Sequence, residues 1–89
     1  MAWRIEVTAT AEKQLLKIGG ATAKRITTFL RVRIGSLDDP RQIGKALKGS
    51  ELGSLWRYRV GDYRLICELQ DHRVVVLVVA LGHRRDIYR

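Results

Sequence analysis

Twelve residues near the middle of the chain constrain its fold more than any other stretch: Leu55-Trp56-Arg57-Tyr58-Arg59-Val60-Gly61-Asp62-Tyr63-Arg64-Leu65-Ile66. Strand side chains alternate between the two faces of a sheet. Leu55, Arg57 and Arg59 therefore point one way, and Trp56, Tyr58 and Val60 the other. Gly61-Asp62 reads as a two-residue turn, in which glycine supplies the positive φ that hairpin turns need. That turn pairs Val60 with Tyr63, Arg59 with Arg64 and Tyr58 with Leu65. Arg59 and Arg64 become direct cross-strand neighbours, with Arg57 two residues along the same face. Like charges opposite each other destabilise a sheet, so the pattern points to an anion that this face is built to hold.

Composition supports the same direction. The chain has 89 residues, a length expected to form a single domain over residues 1–89. Seventeen Lys and Arg against nine Asp and Glu give a net charge of +8, which suits a polyanion, with nucleic acid the first candidate. An acidic protein partner is also compatible with this charge. No stretch reaches the ~20 apolar residues of a membrane span, and Met1-Ala2-Trp3-Arg4 lacks the apolar core of a signal peptide. The lone cysteine, Cys67, precludes an internal disulfide and lies in an apolar run, where it reads as a small buried hydrophobe. A cytoplasmic protein without membrane association is expected.

Around the hairpin, hydrophobic periodicity predicts a β-α-α-β-β-β order. Trp3-Arg4-Ile5-Glu6-Val7 alternates as a half-buried strand. Thr8 or Thr10 can cap a helix carrying Glu12 in its first turn and Ala11, Leu15 and Ile18 on its apolar side, with Gly19-Gly20 ending it. A second helix is expected from about residue 22 to 34, its stripe formed by Ala23, Ile26, Leu30 and Ile34 with Phe29 beside it. Lys24, Arg25, Arg31 and Arg33 lie around the rest of that helix. Residues 35–53 read as a loop broken by Asp38-Asp39-Pro40 and three glycines. After the hairpin, Asp71-His72 is a second two-residue turn candidate. Residues 73–81 are then valine-rich on both faces, which predicts a central, covered strand with the N-terminal strand at its free edge. The fold class is α+β: a small, mainly antiparallel sheet with two N-terminal helices packed on one face.

Three groups of residues are candidates for function. The first is the arginine face of the hairpin, Arg57, Arg59 and Arg64. The second is Gly82-His83-Arg84-Arg85-Asp86-Ile87-Tyr88-Arg89, which brings an imidazole, two further arginines and a phenol together just after the central strand. Histidine is the residue type that ordinarily changes charge near neutrality, so His83 is the candidate there for proton transfer, whereas His72 sits at a turn as a surface residue. The third is Lys45-Ala46-Leu47-Lys48-Gly49, where Lys45 and Lys48 can add to phosphate binding or stand as solvated loop lysines.

Several chemistries are disfavoured. Two histidines and one cysteine without ligand spacing argue against a zinc site. There is no glycine-rich phosphate loop leading into a helix, and no pair of carboxylates on the basic face for two-metal chemistry. No cofactor and no metal are expected. Work on a phosphodiester without metal remains, and RNA carries its own nucleophile in the 2′-hydroxyl. Such cleavage needs a proton acceptor, cations around the pentavalent phosphate, and an acid for the departing 5′-oxygen. Arg57, Arg59, Arg64, Arg84 and Arg85 are the cations, since the guanidinium fork matches phosphate oxygens, and His83 or Tyr88 is placed to move protons or stack on a base.

These residues together resemble the RelE-type toxins of bacterial toxin–antitoxin pairs. The resemblance covers nearly the whole chain and is carried by Leu47-Lys48-Gly49, by residues 56–65 of the hairpin and by residues 82–88. It implies a RelE/ParE-like fold and a ribosome-dependent endoribonuclease that cuts messenger RNA in the A site of the 70S ribosome. It also implies a small cognate RelB-like antitoxin that wraps the toxin, with operator DNA contacted mainly through that antitoxin. By position, Arg64 resembles the family's phosphate-stabilising arginine, Arg84 the arginine assisting the leaving group, and Tyr88 the tyrosine that orients the 2′-hydroxyl. Arg57 and Arg59 stand where well-studied members carry lysines. Arginine stays protonated and cannot act as a base, so His83 is the expected substitute. The sequence ends one residue after Tyr88, and no further C-terminal helix is expected. The same fold hosts ParE-type gyrase inhibitors, and a non-catalytic antitoxin-binding module is a third possibility.

Overall fold

A computed structural model describes residues 3–47 and 55–87. Lys48 and Tyr88, both singled out above, lie outside the described residues. Strand β1 (Arg4–Val7) leads into helix α1 (Ala9–Lys17), whose N-cap is Thr8: its side-chain oxygen accepts a hydrogen bond from the amide of Ala11 at 3.2 Å. Gly19, at φ 94°, stops α1 and also caps helix α2 (Gly20–Thr28), which begins two residues earlier than the periodicity suggests. The last part of the expected second helix is a π-helical segment, Phe29–Ile34, closed by an i→i+5 hydrogen bond from Gly35 N–H to the Leu30 carbonyl. A Cβ on Gly35 would stand 2.5 Å from the Arg31 carbonyl oxygen, so glycine is what fits after this wider turn.

The region expected as loop contains two short elements. A 3₁₀ turn, Pro40–Gln42, is capped by Asp39, whose carboxylate accepts from Arg41 N–H at 3.0 Å. Strand β2 (Lys45–Ala46) then pairs antiparallel with β3 (Leu55–Val60), Lys45 opposite Arg57 and Ala46 opposite Trp56. Strands β3 and β4 (Tyr63–Gln70) form the expected hairpin in the expected register, with Arg59 opposite Arg64. Gly61 has φ 61° while Asp62 does not enter positive φ, the sign pattern of a type II′ turn.

The connection after β4 departs from the sequence reading. It is a 3₁₀ turn, Asp71–Arg73, followed by Val74 in a left-handed conformation at φ 54°, before β5 (Val75–His83). A β-branched residue is unfavourable there. It is held by Val74 N–H donating to the Asp71 carbonyl at 3.2 Å, and by the Val74 carbonyl accepting from Arg4 N–H at 2.9 Å. The sheet order is β1-β5-β4-β3-β2, antiparallel except for the parallel β1–β5 pair, so β5 is interior as its valines require.

Both helices cover one face. Ala11, Ile26, Leu30 and Ile34 meet Tyr58, Val60, Leu65, Cys67, Leu69, Val76, Val78 and Leu81 in one core. Cys67 is fully enclosed and burial pushes its thiol up to about 12, which makes it an inert hydrophobe. Burial also pushes the Tyr58 phenol well above its ordinary value and keeps it protonated, and its hydroxyl donates to the Pro40 carbonyl at 2.7 Å. Trp56 Nε1 donates to the Ile43 carbonyl at 2.7 Å. These two bonds fasten residues 40–43 to the hairpin and so fix where β2 can pair. Among the described residues no helix is long and apolar enough to cross a membrane.

Candidate nucleic-acid interface

The face of the sheet turned away from the helices carries the candidate site. Residues paired across antiparallel strands share a face, so Lys45 joins Arg57 in one row that continues through Ile66 and Ala80. The next row is Arg59, Arg64 and Gly82. Cationic heads thus stand over a floor of Ile66, Ala80 and Gly82. The Arg64 guanidinium is tethered: its Nη1 donates to the carbonyls of Gly61 and Tyr63, each at 3.1 Å. That holds the group beside the hairpin turn with its remaining donors available.

The same turn anchors the C-terminal segment. Arg84 N–H donates to the Asp62 carbonyl at 2.8 Å, and its Nε lies 3.9 Å from the Asp62 carboxylate. Residues 84–87 then fold back, with Asp86 N–H and Ile87 N–H both donating to the His83 carbonyl at 2.8 and 3.1 Å. Ile87 Cδ1 lies 3.7 Å from where a Cβ on Gly82 would stand, so Ile87 packs over Gly82 on the arginine side of β5. Arg64 and Arg84 are thereby gathered around one turn. Arg85 is exposed in the same segment.

His83, the residue expected to take the proton, lies on the other face of β5. Strand β5 carries a bulge opposite Ile66 and Cys67: Ala80 pairs with Ile66 and Val78 with Cys67, which leaves Val79 as the extra residue. Its carbonyl accepts from the Thr8 hydroxyl at 3.3 Å, and the Gln14 side chain accepts from Leu81 N–H at 2.8 Å, so α1 satisfies the distorted stretch. One inserted residue reverses the alternation beyond it. Ala80 and Gly82 turn to the arginine face, and His83 turns to the helix side, where its ring meets Tyr63 edge-on with centroids 5.6 Å apart. Its Nδ1 accepts from Arg85 N–H at 3.2 Å, so the imidazole holds the start of the tail instead of facing the phosphate site. The sequence alone carries no signal for the bulge.

Two arginines expected on the solvated surface of the second helix also matter. Arg33 lines a cleft of about 360 Å³ together with Lys45, Arg57 and Arg59. Arg25 reaches the hairpin turn, its Nη1 lying 3.3 Å from where a Gly61 Cβ would stand.

The comparisons with known proteins agree with this architecture. Residues 5–88 match the family described as the ParE toxin of the type II toxin–antitoxin system parDE. The chain is 31% identical to toxin RelG of Mycobacterium tuberculosis over 90 residues, covering 100% of this chain and 99% of that protein. Among solved structures, the toxin–antitoxin complex RelBE2 of Mycobacterium tuberculosis matches with a TM-score of 0.82 at 26% identity, covering 97% of this chain and 95% of that one. The isolated RelE toxin of E. coli shares the fold, with a TM-score of 0.71 at 23% identity over 92% of this chain and 84% of that one. The chain belongs to the RelE/ParE family of toxins of type II toxin–antitoxin systems.

Proposed function

We propose that this toxin is a ribosome-dependent endoribonuclease that cuts messenger RNA in the A site, using the RNA's own 2′-hydroxyl as nucleophile. The observation that carries the reading is the cationic face: Lys45 beside Arg57 and Arg59 beside Arg64, with Arg84 drawn to the same turn by the tail. Attack of the 2′-oxygen on the adjacent phosphorus forms a pentavalent phosphorane. The 2′-hydroxyl gives up its proton as it attacks, the P–O5′ bond breaks, and the 5′-oxygen takes up a proton, leaving a 2′,3′-cyclic phosphate on one fragment and a 5′-hydroxyl on the other. The added negative charge of the transition state is what preorganised guanidiniums stabilise most. Arg64, already held by two carbonyls, supplies the fixed fork, and Arg84 neutralises the departing oxygen. Arg57, Arg59, Lys45, Lys48 and Arg85 hold flanking phosphates, and Tyr88 orients the 2′-hydroxyl. Similarity to toxins RelG and RelE supports the reading.

A small antitoxin of the RelB class is the proposed partner, supported by the structural match to a RelBE complex. Ribosome and message are the proposed targets, and operator DNA is reached through the antitoxin. A gyrase-inhibiting reading stays in view because the matching family bears the ParE name. Mapping message ends after brief induction separates the two. Breaks inside codons of translated messages support the nuclease, whereas intact messages with broken DNA support the gyrase inhibitor.

A further inference from the structure

We propose that the open edge of β3 is a second phosphate-binding groove, which carries the flank of the RNA strand being cut from the arginine face round to the helix side. This rests on the nuclease reading above. Among the described residues, Leu47 N–H donates to the Leu55 carbonyl at 3.1 Å, and β2 pairs with β3 at Trp56 and Arg57. Beyond that point, the β3 edge borders two adjoining clefts of about 360 and 620 Å³, which share Phe29, Arg33 and Arg59. Lys45 and Arg57 line the first and Arg25 the second. Among the described residues, no carboxylate lines either cleft.

The pairing of the cations sharpens the point. Arg4, Arg41 and Arg73 each have a carboxylate within 3.2 Å. Arg25, Arg33, Lys45 and Arg59 form no salt bridge among the described residues. Four such cations around one edge repel each other and focus a positive potential into the space between them. The π-helical segment adds an apolar wall, with Phe29 and Arg33 both turned toward β3 and Val32 exposed beside them. A cationic track with an aromatic surface for bases fits single-stranded nucleic acid without sequence readout. Continuity favours the strand being cut over an acidic protein: Arg59 belongs to both the arginine face and the groove, so a strand fixed at Arg59 and Arg64 runs into it.

The test measures binding of fluorescein-labelled, fully 2′-O-methylated RNA, which has no free 2′-hydroxyl to attack, by fluorescence anisotropy over a salt series. Oligomers of about three and about nine nucleotides separate the cutting face from the groove. Each phosphate neutralised on a single strand contributes about 0.7 to the slope of log affinity against log salt, so Arg25→Ala/Arg33→Ala should lower the nonamer slope by about 1.4. At about 50 mM salt its affinity should fall roughly tenfold, with the deficit confined to the nonamer. Lys13→Ala/Lys17→Ala on α1 removes the same charge elsewhere and should leave the slope in place. An unchanged nonamer slope overturns the groove, as does an equal loss in the α1 control. Intact RNA binding with weakened antitoxin binding also overturns it, because the cleft then belongs to the protein partner. If the unaltered toxin cuts messages while any of these holds, only the groove falls. If it neither binds the oligomers nor cuts messages, the nuclease reading falls with it.

Discussion

Arg64→Ala separates chemistry from folding more cleanly than any other substitution in this protein. The side chain makes two hydrogen bonds, to the Gly61 and Tyr63 carbonyls, each contributing about 1 kcal/mol net and less where solvent competes. Its removal also relieves the cross-strand repulsion from Arg59, about 0.2–1 kcal/mol in the opposite direction. The net cost in stability is therefore at most about 2 kcal/mol, a shift of no more than about 16 °C in Tm for a domain of this size. Against a typical total of about 5–15 kcal/mol, such a change leaves nearly all molecules folded. The phosphate loses a preorganised donor, and that costs about 10²–10³ in rate. Arg64→Lys keeps the charge without the fork and should fall between the two. The assay is single-turnover cleavage on programmed ribosomes, paired with thermal unfolding of the same preparations. A folded Arg64→Ala protein that cuts within about tenfold of the parent refutes the assignment of Arg64. A protein that has lost activity because it is unfolded refutes the energetic reasoning.

Lys45 stands opposite Arg57 on the cationic face; if it acts as a charge, Lys45→Arg keeps cleavage and Lys45→Ala lowers it about tenfold, and an inactive Lys45→Arg variant would assign it proton transfer instead. Tyr58→Phe removes the donor to the buried Pro40 carbonyl and should cost about 1–2 kcal/mol in urea unfolding; an unchanged midpoint would show that this bond does not fasten residues 40–43. The hydrogen bonds from Arg41 hold the Asp71 carboxyl below its ordinary value. A lowered folded value gives stability that is present above the unfolded value near 3.8 and lost as pH falls through the folded one. The pair is exposed, so the effect is a few tenths of a kcal/mol; Asp71→Asn should remove that acid-limb loss, and an unaltered acid limb in the variant contradicts the pairing.

The hairpin register was readable because a glycine-first turn and strict alternation leave little freedom, and the arginine face followed from it. Strand β2 was not readable, since two residues carry no period. Its position depends on Trp56 and Tyr58 fastening residues 40–43, a tertiary effect. Lys45 consequently looked like a loop residue and proved to be part of the cationic row. The bulge at Val79 had the largest consequence. Uninterrupted alternation from Val78 would bring His83 to the arginine face, and one extra residue, stabilised by Thr8 and Gln14 far away in sequence, sends it to Tyr63 instead. Arg25 and Arg33 carry no sequence signal for a related reason: on a helix they are ordinary solvated charges, and only packing brings them to the β3 edge.

The most direct test of the account is the chemistry at the cut. On ribosomes programmed with a defined message, the toxin should leave a 2′,3′-cyclic phosphate and a 5′-hydroxyl. A message carrying a single 2′-deoxy nucleotide at the cleavage position should remain whole at that position. Cleavage of the deoxy-substituted message, or products bearing a 5′-phosphate, would contradict attack by the 2′-hydroxyl and with it the role assigned to the cationic face.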